Sequence, residues 1–191
     1  STLNNLDYNN NKVILLTAHR RENLGKPMEE IFKSVKELVI NNKDVEVVFP
    51  VHLNPKVRAI SNKILSNLER THLIEPLDYK PFANLMARSH LILTDSGGVQ
   101  EEAPALGKPV LVLRNTTERP EAIEAGTVKK VGTNKDKILE LSNELLCDEE
   151  EYNKIANTVN PYGDGRASKR IIDQILYEFD LSNTPADEFS S

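Results

Sequence analysis

The 191-residue chain has one cysteine, two methionines, no tryptophan and 5% aromatic residues, and what it lacks excludes several classes of protein. With Cys147 alone, neither an intramolecular disulfide framework nor a multi-cysteine zinc site can form. Cys147 follows Leu145 and Leu146 in an apolar helical stretch, which predicts a buried and inert thiol. No apolar run approaches the about 20 residues of a membrane span. The polar, Asn-rich N-terminus is no signal peptide, so the expected compartment is the cytoplasm. Positive charge is not in excess: Lys+Arg number 24 against 29 Asp+Glu, a net charge of −5. That argues against nucleic acid as a partner, because non-specific duplex binding needs a basic stripe. A small anion stays open, since one nest of backbone N–H groups holds a phosphate even on an acidic protein. No His/Cys cluster has metal-ligand spacing, and neither a nucleophile elbow nor a Walker-type Gly-Lys-Ser is present.

What is present suits one soluble domain, with 28% charged and 39% hydrophobic residues. Short β-branched runs alternate with segments of helical period. The runs predict strands at Lys12–Thr17, Val45–Pro50, 72–75, Leu91–Thr94, 109–113 and 127–131. Ile31, Phe32, Val35, Leu38 and Val39 share one helical stripe behind Pro27, which suits a first turn. Val57, Ile60, Ile64 and Leu68 mark a second helix; 81–88 and 98–106 are shorter ones. Ile138, Leu141 and Leu145 mark a later helix, and Ile171, Ile172, Ile175, Leu176 and Phe179 the last. Strands apolar on both faces and joined by helical crossovers pair in parallel, so the expected fold is a doubly wound α/β sheet. Residues 1–11 read as a linker, 12–179 as the folded lobe and 180–191 as a disordered, fraying tail.

In such a sheet ligands bind beyond the carboxyl ends of the strands, which directs attention to the segments just after them. After the fourth strand stands Asp95-Ser96-Gly97-Gly98-Val99-Gln100-Glu101-Glu102. Two glycines let a ligand approach the backbone, and the free N–H groups of the helix start favour phosphate. Ser96 adds a hydroxyl, and Glu102, about one turn on, suits the two hydroxyls of a ribose. The same residues also fit an ordinary glycine turn with solvated glutamates. After the first strand come Thr17-Ala18-His19-Arg20-Arg21-Glu22-Asn23. His19 and either arginine could meet a phosphate, or the segment is a solvated loop with an internal Arg–Glu pair. His52, between Pro50 and Pro55, is either a ligand contact or a hydrogen-bonded structural histidine. His72 and His90, at strand starts, read as structural. After the fifth strand, Arg119 is held extended by Pro120 and could reach the anion at the glycine turn; the alternative is a plain helix start. Together these segments point to a nucleotide or sugar-phosphate site rather than a metal centre.

These segments, with Pro50-Val51-His52-Leu53-Asn54-Pro55, Leu113-Arg114-Asn115-Thr116-Thr117-Glu118-Arg119-Pro120-Glu121 and Asn160-Pro161-Tyr162-Gly163-Asp164-Gly165, resemble the bacterial non-hydrolysing UDP-N-acetylglucosamine 2-epimerases. The resemblance runs from Lys12 to Phe179 and covers only the C-terminal half of that family's chain. It implies one Rossmann-like lobe of a two-lobed GT-B architecture, without its N-terminal lobe. It implies that Ser96, Gly97 and Gly98 hold the diphosphate of UDP, Glu102 the ribose, and Phe82 with Leu77 the uracil. His19, the catalytic residue of this half, and Arg119 would face the phosphates or the sugar. Arg20, Glu22 and His52 would be this lobe's share of an allosteric site for a second substrate molecule. The reaction implied interconverts UDP-N-acetylglucosamine and UDP-N-acetylmannosamine by elimination and re-addition of UDP, with no cofactor or metal. Its acid and base carboxylates lie in the missing lobe. The full-length enzyme would be a homodimer serving cell-surface polysaccharide synthesis, and the lobe alone inactive. The donor-nucleotide lobe of a GT-B glycosyltransferase shares the Gly-Gly turn and Glu, and a nucleotide-binding module without activity is the non-enzyme alternative. Asn160–Gly165 reads either as a ligand-side turn that helps set the lobe angle or as a plain turn between helices.

Overall fold

The computed structural model of the chain describes residues 2–189; Ser1, Ser190 and Ser191, the ends of the expected linker and tail, lie outside the described residues. Six strands, β1 (Lys12–Thr17), β2 (Val45–Pro50), β3 (Thr71–Ile74), β4 (Leu91–Thr94), β5 (Val110–Val112) and β6 (Val128–Lys130), form one sheet in the order β3-β2-β1-β4-β5-β6. All the pairings are parallel. The expected doubly wound, Rossmann-like fold is therefore the one observed, and its strand order reverses between β1 and β4. Such a switch point opens a crevice at the carboxyl ends of the strands.

Successive residues of β1 enter opposite faces, Ile14 and Leu16 one core and Val13 and Leu15 the other, as a strand covered on both sides requires. The first face is covered by α1 (Lys26–Asn41), α2 (Pro55–Leu65) and α6 (Lys135–Cys147). Helix α1 buries Met28, Ile31, Phe32, Val35, Leu38 and Val39 and carries Pro27 in its first turn, where a missing N–H costs nothing. Asn54 caps α2 through Lys56 N (3.0 Å), and Asn134 caps α6 through Lys137 N (3.0 Å). The second face is covered by α3 (Tyr79–Arg88), α4 (Gly97–Glu102) and α5 (Pro120–Ala125).

Several expectations are corrected. The helix expected over 98–106 is split: α4 ends at Glu102, and Pro104–Leu106 forms a separate 3-10 turn, because Pro104 has no N–H to continue the ladder. Helix α7 (Glu149–Ala156) was not foreseen; it buries only Ile155 and is held by Asp148, whose side chain accepts from Glu150 N and Glu151 N. Cys147 is exposed, not buried. The inward stripe of α6 runs through Ile138, Ser142, Leu145 and Leu146, and the next residue falls off it.

Helix α8 (Ala167–Glu178) forms as expected but buries no residue. Its stripe of Ile171, Ile172, Ile175, Leu176 and Phe179 is exposed. Beyond it the chain folds back along the helix: Arg170 Nε donates to Asp187 O (3.1 Å) and Ala186 N to Gln174 Oε1 (3.2 Å). At the other end, Leu6 packs into the second core and Tyr8 lies under the Arg88 guanidinium, 3.7 Å from its centre.

Candidate functional site

The ends of β1 and β4 lie side by side, with Thr17 opposite Thr94 and their hydroxyls hydrogen-bonded. Everything that follows the two strands is thereby brought to the switch point. A cavity of about 300 Å³ opens there, lined by Thr17, His19, Pro50, His52, Pro76, Leu77, Phe82, Ser96, Gly98, Val99 and Glu102. It collects His19, His52, Leu77, Phe82, Ser96, Gly98 and Glu102 from the segments that follow β1, β2, β3 and β4. A larger groove of about 560 Å³ lies at the β6 edge, away from these residues.

Gly97 is buried at the start of α4, and an added Cβ there would sit 3.6 Å from one nitrogen of Arg20 and 3.7 Å from one of Arg119. Two guanidiniums thus bracket the glycine turn. Arg119 is steadied by Glu101, which accepts from its Nε, and by donation to Glu118 O (2.9 Å). The Glu101 partnership raises the pKa of Arg119 further above its ordinary value, so it stays a cation throughout the accessible pH range. Ser96 precedes α4 without spending its side chain on a cap. Glu102 is exposed at the cavity, its Oε1 3.9 Å from where a Cβ on Gly98 would sit, and it is bonded to none of the described residues. Phe82 and Leu77 form the apolar wall, packed against the second core. The result is a slot with an apolar end, a free carboxylate and a doubly cationic glycine turn.

Arg20 therefore belongs beside the glycine turn, and its Nε donates to Asp95 O (3.2 Å). The His19 and His52 rings stack with centroids 5.3 Å apart. Glu22 is not among the residues that line the cavity; it turns to the buried Arg114, accepting from its Nε at 2.7 Å.

The sequence reading gave Asp95 no role, yet it organises the site. Its carboxylate is fully buried and accepts from His19 N (2.9 Å), Arg20 N (2.8 Å) and Asn23 Nδ2 (3.0 Å). Asn23 donates from the same nitrogen to Leu113 O (3.0 Å), so the loop after β1 is tied to the ends of both β4 and β5. Gln100, also fully buried, bonds Ser96 O (3.1 Å) and Thr117 Oγ1 (3.1 Å), joining the glycine turn to the loop that carries Arg119. Asp95 stands directly before the glycine turn, and that position was the one available signal.

Burial pushes the pKa of His19 below its ordinary value; Asp95, with its carboxylate 3.5 Å from Nδ1, pulls the other way, and His52 and Arg20 push it down further. His90 is lowered too, by burial first, then by Lys12 and Lys108 against the Leu145 carbonyl. A histidine with a depressed folded-state pKa binds fewer protons than in the unfolded chain. The stability it supports is complete above the unfolded value of 6.5 and falls as pH drops below it. The chain is thus expected to unfold at a higher temperature near about pH 7.5 than near about pH 5.5. His19→Asn should shrink that difference, and an unchanged difference would contradict the burial of the ring.

A family model described as UDP-N-acetylglucosamine 2-epimerase matches residues 1–176. The chain belongs to the UDP-N-acetylglucosamine 2-epimerase family. It is 56% identical over 179 residues to UDP-N-acetylglucosamine 2-epimerase of Bacillus subtilis, covering 94% of this chain and 47% of that protein. An S. aureus structure solved with UDP superposes with a TM-score of 0.90 at 52% identity, covering 96% of this chain and 50% of the other. The Neisseria meningitidis epimerase bound to UDP-GlcNAc gives 0.84 at 54% identity, with 88% and 45% covered. The chain spans about half the length of the curated epimerases it matches. A lipopolysaccharide glycosyltransferase, WaaG, shares the fold at 16% identity and a TM-score of 0.63, as one lobe of a GT-B architecture would. The resemblance read from the sequence is the family found.

Proposed function

We propose that this chain is the UDP-binding lobe of a UDP-N-acetylglucosamine 2-epimerase, and that the switch-point cavity is where UDP lies. The observation that carries the reading is the meeting of Phe82, Glu102 and the arginine-bracketed Gly97 turn in and beside one slot. The uracil packs on Phe82 and Leu77, and the ribose hydroxyls donate to Glu102. The diphosphate takes the Ser96–Gly98 backbone between Arg20 and Arg119, whose charges suit phosphate oxygens. Residues 12–179 make up this lobe, with 1–11 as linker and 180–191 as tail.

In the parent enzyme a base removes the C2 proton while the C1–O bond breaks and UDP departs as the leaving group. Re-addition of UDP to the glucal, with the proton delivered to the other face of C2, inverts that centre. This lobe steadies UDP while it is both leaving group and nucleophile. His19, at the mouth of the slot beside Asp95, is positioned toward the departing phosphate. The acid and base carboxylates belong to the N-terminal lobe. The relatives are about twice as long as this chain, and the exposed stripe of α8 is the surface that other half covers. Arg20, Glu22 and His52 form this lobe's part of the allosteric site, Arg20 serving the diphosphate as well. The full enzyme works as a cytoplasmic homodimer; among the described residues no helix is long and apolar enough to cross a membrane.

Calorimetry with UDP tests the site. Glu102→Gln leaves a ribose hydroxyl without its acceptor and should weaken binding roughly ten-fold with the fold unchanged. Binding equal to that of the parent chain would place UDP elsewhere.

A further inference from the structure

The segment Asn160-Pro161-Tyr162-Gly163-Asp164-Gly165 stands between α7 and α8 and lines none of the slot. Its side chains nevertheless reach the last turn of α4 and the first turn of α5. Asn160 Nδ2 donates to Glu101 O (3.2 Å), in the last turn of α4. Asn160 Oδ1 accepts from Tyr162 N (3.2 Å), which fixes the amide's orientation. The Tyr162 ring packs into the second core, and its hydroxyl donates to Glu121 (3.4 Å), in the first turn of α5. Glu101 and Arg119, the ion pair beside the glycine turn, are charged neighbours of that hydroxyl. Positive φ angles at Gly163 (129°) and Gly165 (79°) let the chain reverse. Asp164 then takes Arg170, in the first turn of α8, through two bonds of 2.7 and 2.8 Å. Bidentate pairing of this kind fixes orientation as well as distance.

We propose that Asn160 and Tyr162 are positioning residues for Arg119: residues 160–165 clamp the end of α4 to the start of α5 and carry the placement of α8 to the cationic glycine turn. This rests on the UDP site proposed above.

The test is UDP calorimetry on the 191-residue chain with thermal melts alongside. Tyr162→Phe removes only the hydroxyl and keeps the packed ring. Asn160→Asp keeps the acceptor for Tyr162 N and loses the donor to Glu101 O. Each is expected to weaken UDP binding about three- to ten-fold, with little change in melting. Added to Arg119→Gln, either should weaken binding by less than about two-fold more, because its effect passes through the residue already removed. Effects that multiply in full on the Arg119→Gln background, or variants that bind like the parent, overturn the proposal. If Asn160→Asp fails to fold, Tyr162→Phe decides alone. Binding that responds to Glu102→Gln but not to these variants leaves the site standing and removes the clamp; binding indifferent to Glu102→Gln removes both.

Discussion

Incubated with UDP-N-acetylglucosamine, the 191-residue chain by itself is expected to give no epimer and to exchange no C2 proton with solvent. Elimination needs a base at C2, and the carboxylates near the slot are committed elsewhere. Asp95 is buried under the backbone N–H groups of His19 and Arg20. Glu101 holds Arg119, and Glu22 and Glu118 pair with Arg114. Glu102, bonded to none of the described residues, is taken up by the ribose on the reading proposed above. On the reading proposed above a second lobe orients the sugar and shields it from water, and loss of such positioning alone removes about 7–11 kcal/mol of catalysis. Proton exchange at C2 in deuterated water checks this even when product is scarce. Exchange that disappears in His19→Ala would mean that the chain carries its own base.

The second large effect is on stability. Asp95→Ala strips the acceptor from two backbone N–H groups and from Asn23 in a place no water reaches. A buried donor left without its acceptor costs about 1–3 kcal/mol, and with three donors affected here the loss comes to about 3–5 kcal/mol. For a domain of this size that lowers the melting temperature by roughly 6–20 °C. Asp95→Asn keeps one acceptor oxygen and should lose less. A melt of Asp95→Ala that matches the parent would show that the loop after β1 is held by something else. UDP binding should fall with stability, because Asp95 sets the backbone that places both His19 and Arg20.

Asp95 also shows what a sequence hides. A lone aspartate before a glycine pair reads as surface; its burial follows from β1 and β4 being neighbours, and its partners lie 72 to 76 positions away. The central strands β1, β2 and β4 were legible to the residue because their apolar runs are continuous and flanked by polar segments. The outer strand β3 lies one residue earlier than read, and β5 and β6 are shorter. Helix α7 escaped because its stability comes from a cap and an acidic first turn, not from an apolar stripe. The α8 stripe was legible as a pattern, but a pattern does not say which surface covers it. Of the site, the residues that line the slot were legible through their positions after strands. The pairing of Glu22 with Arg114 was not, since Arg114 is buried only in the assembled fold. Arg20 beside Gly97 depends likewise on the registry of two loops that the chain separates widely.

The most direct measurement is the map of UDP-induced chemical-shift changes on the isotope-labelled chain. If the switch-point cavity holds UDP, the changes concentrate at His19, Arg20, Phe82, Ser96, Gly97, Gly98, Glu102 and Arg119, and Tyr162 shifts with them. Changes gathered at the β6 groove around Lys129 and Lys154, or no changes at millimolar UDP, would contradict it.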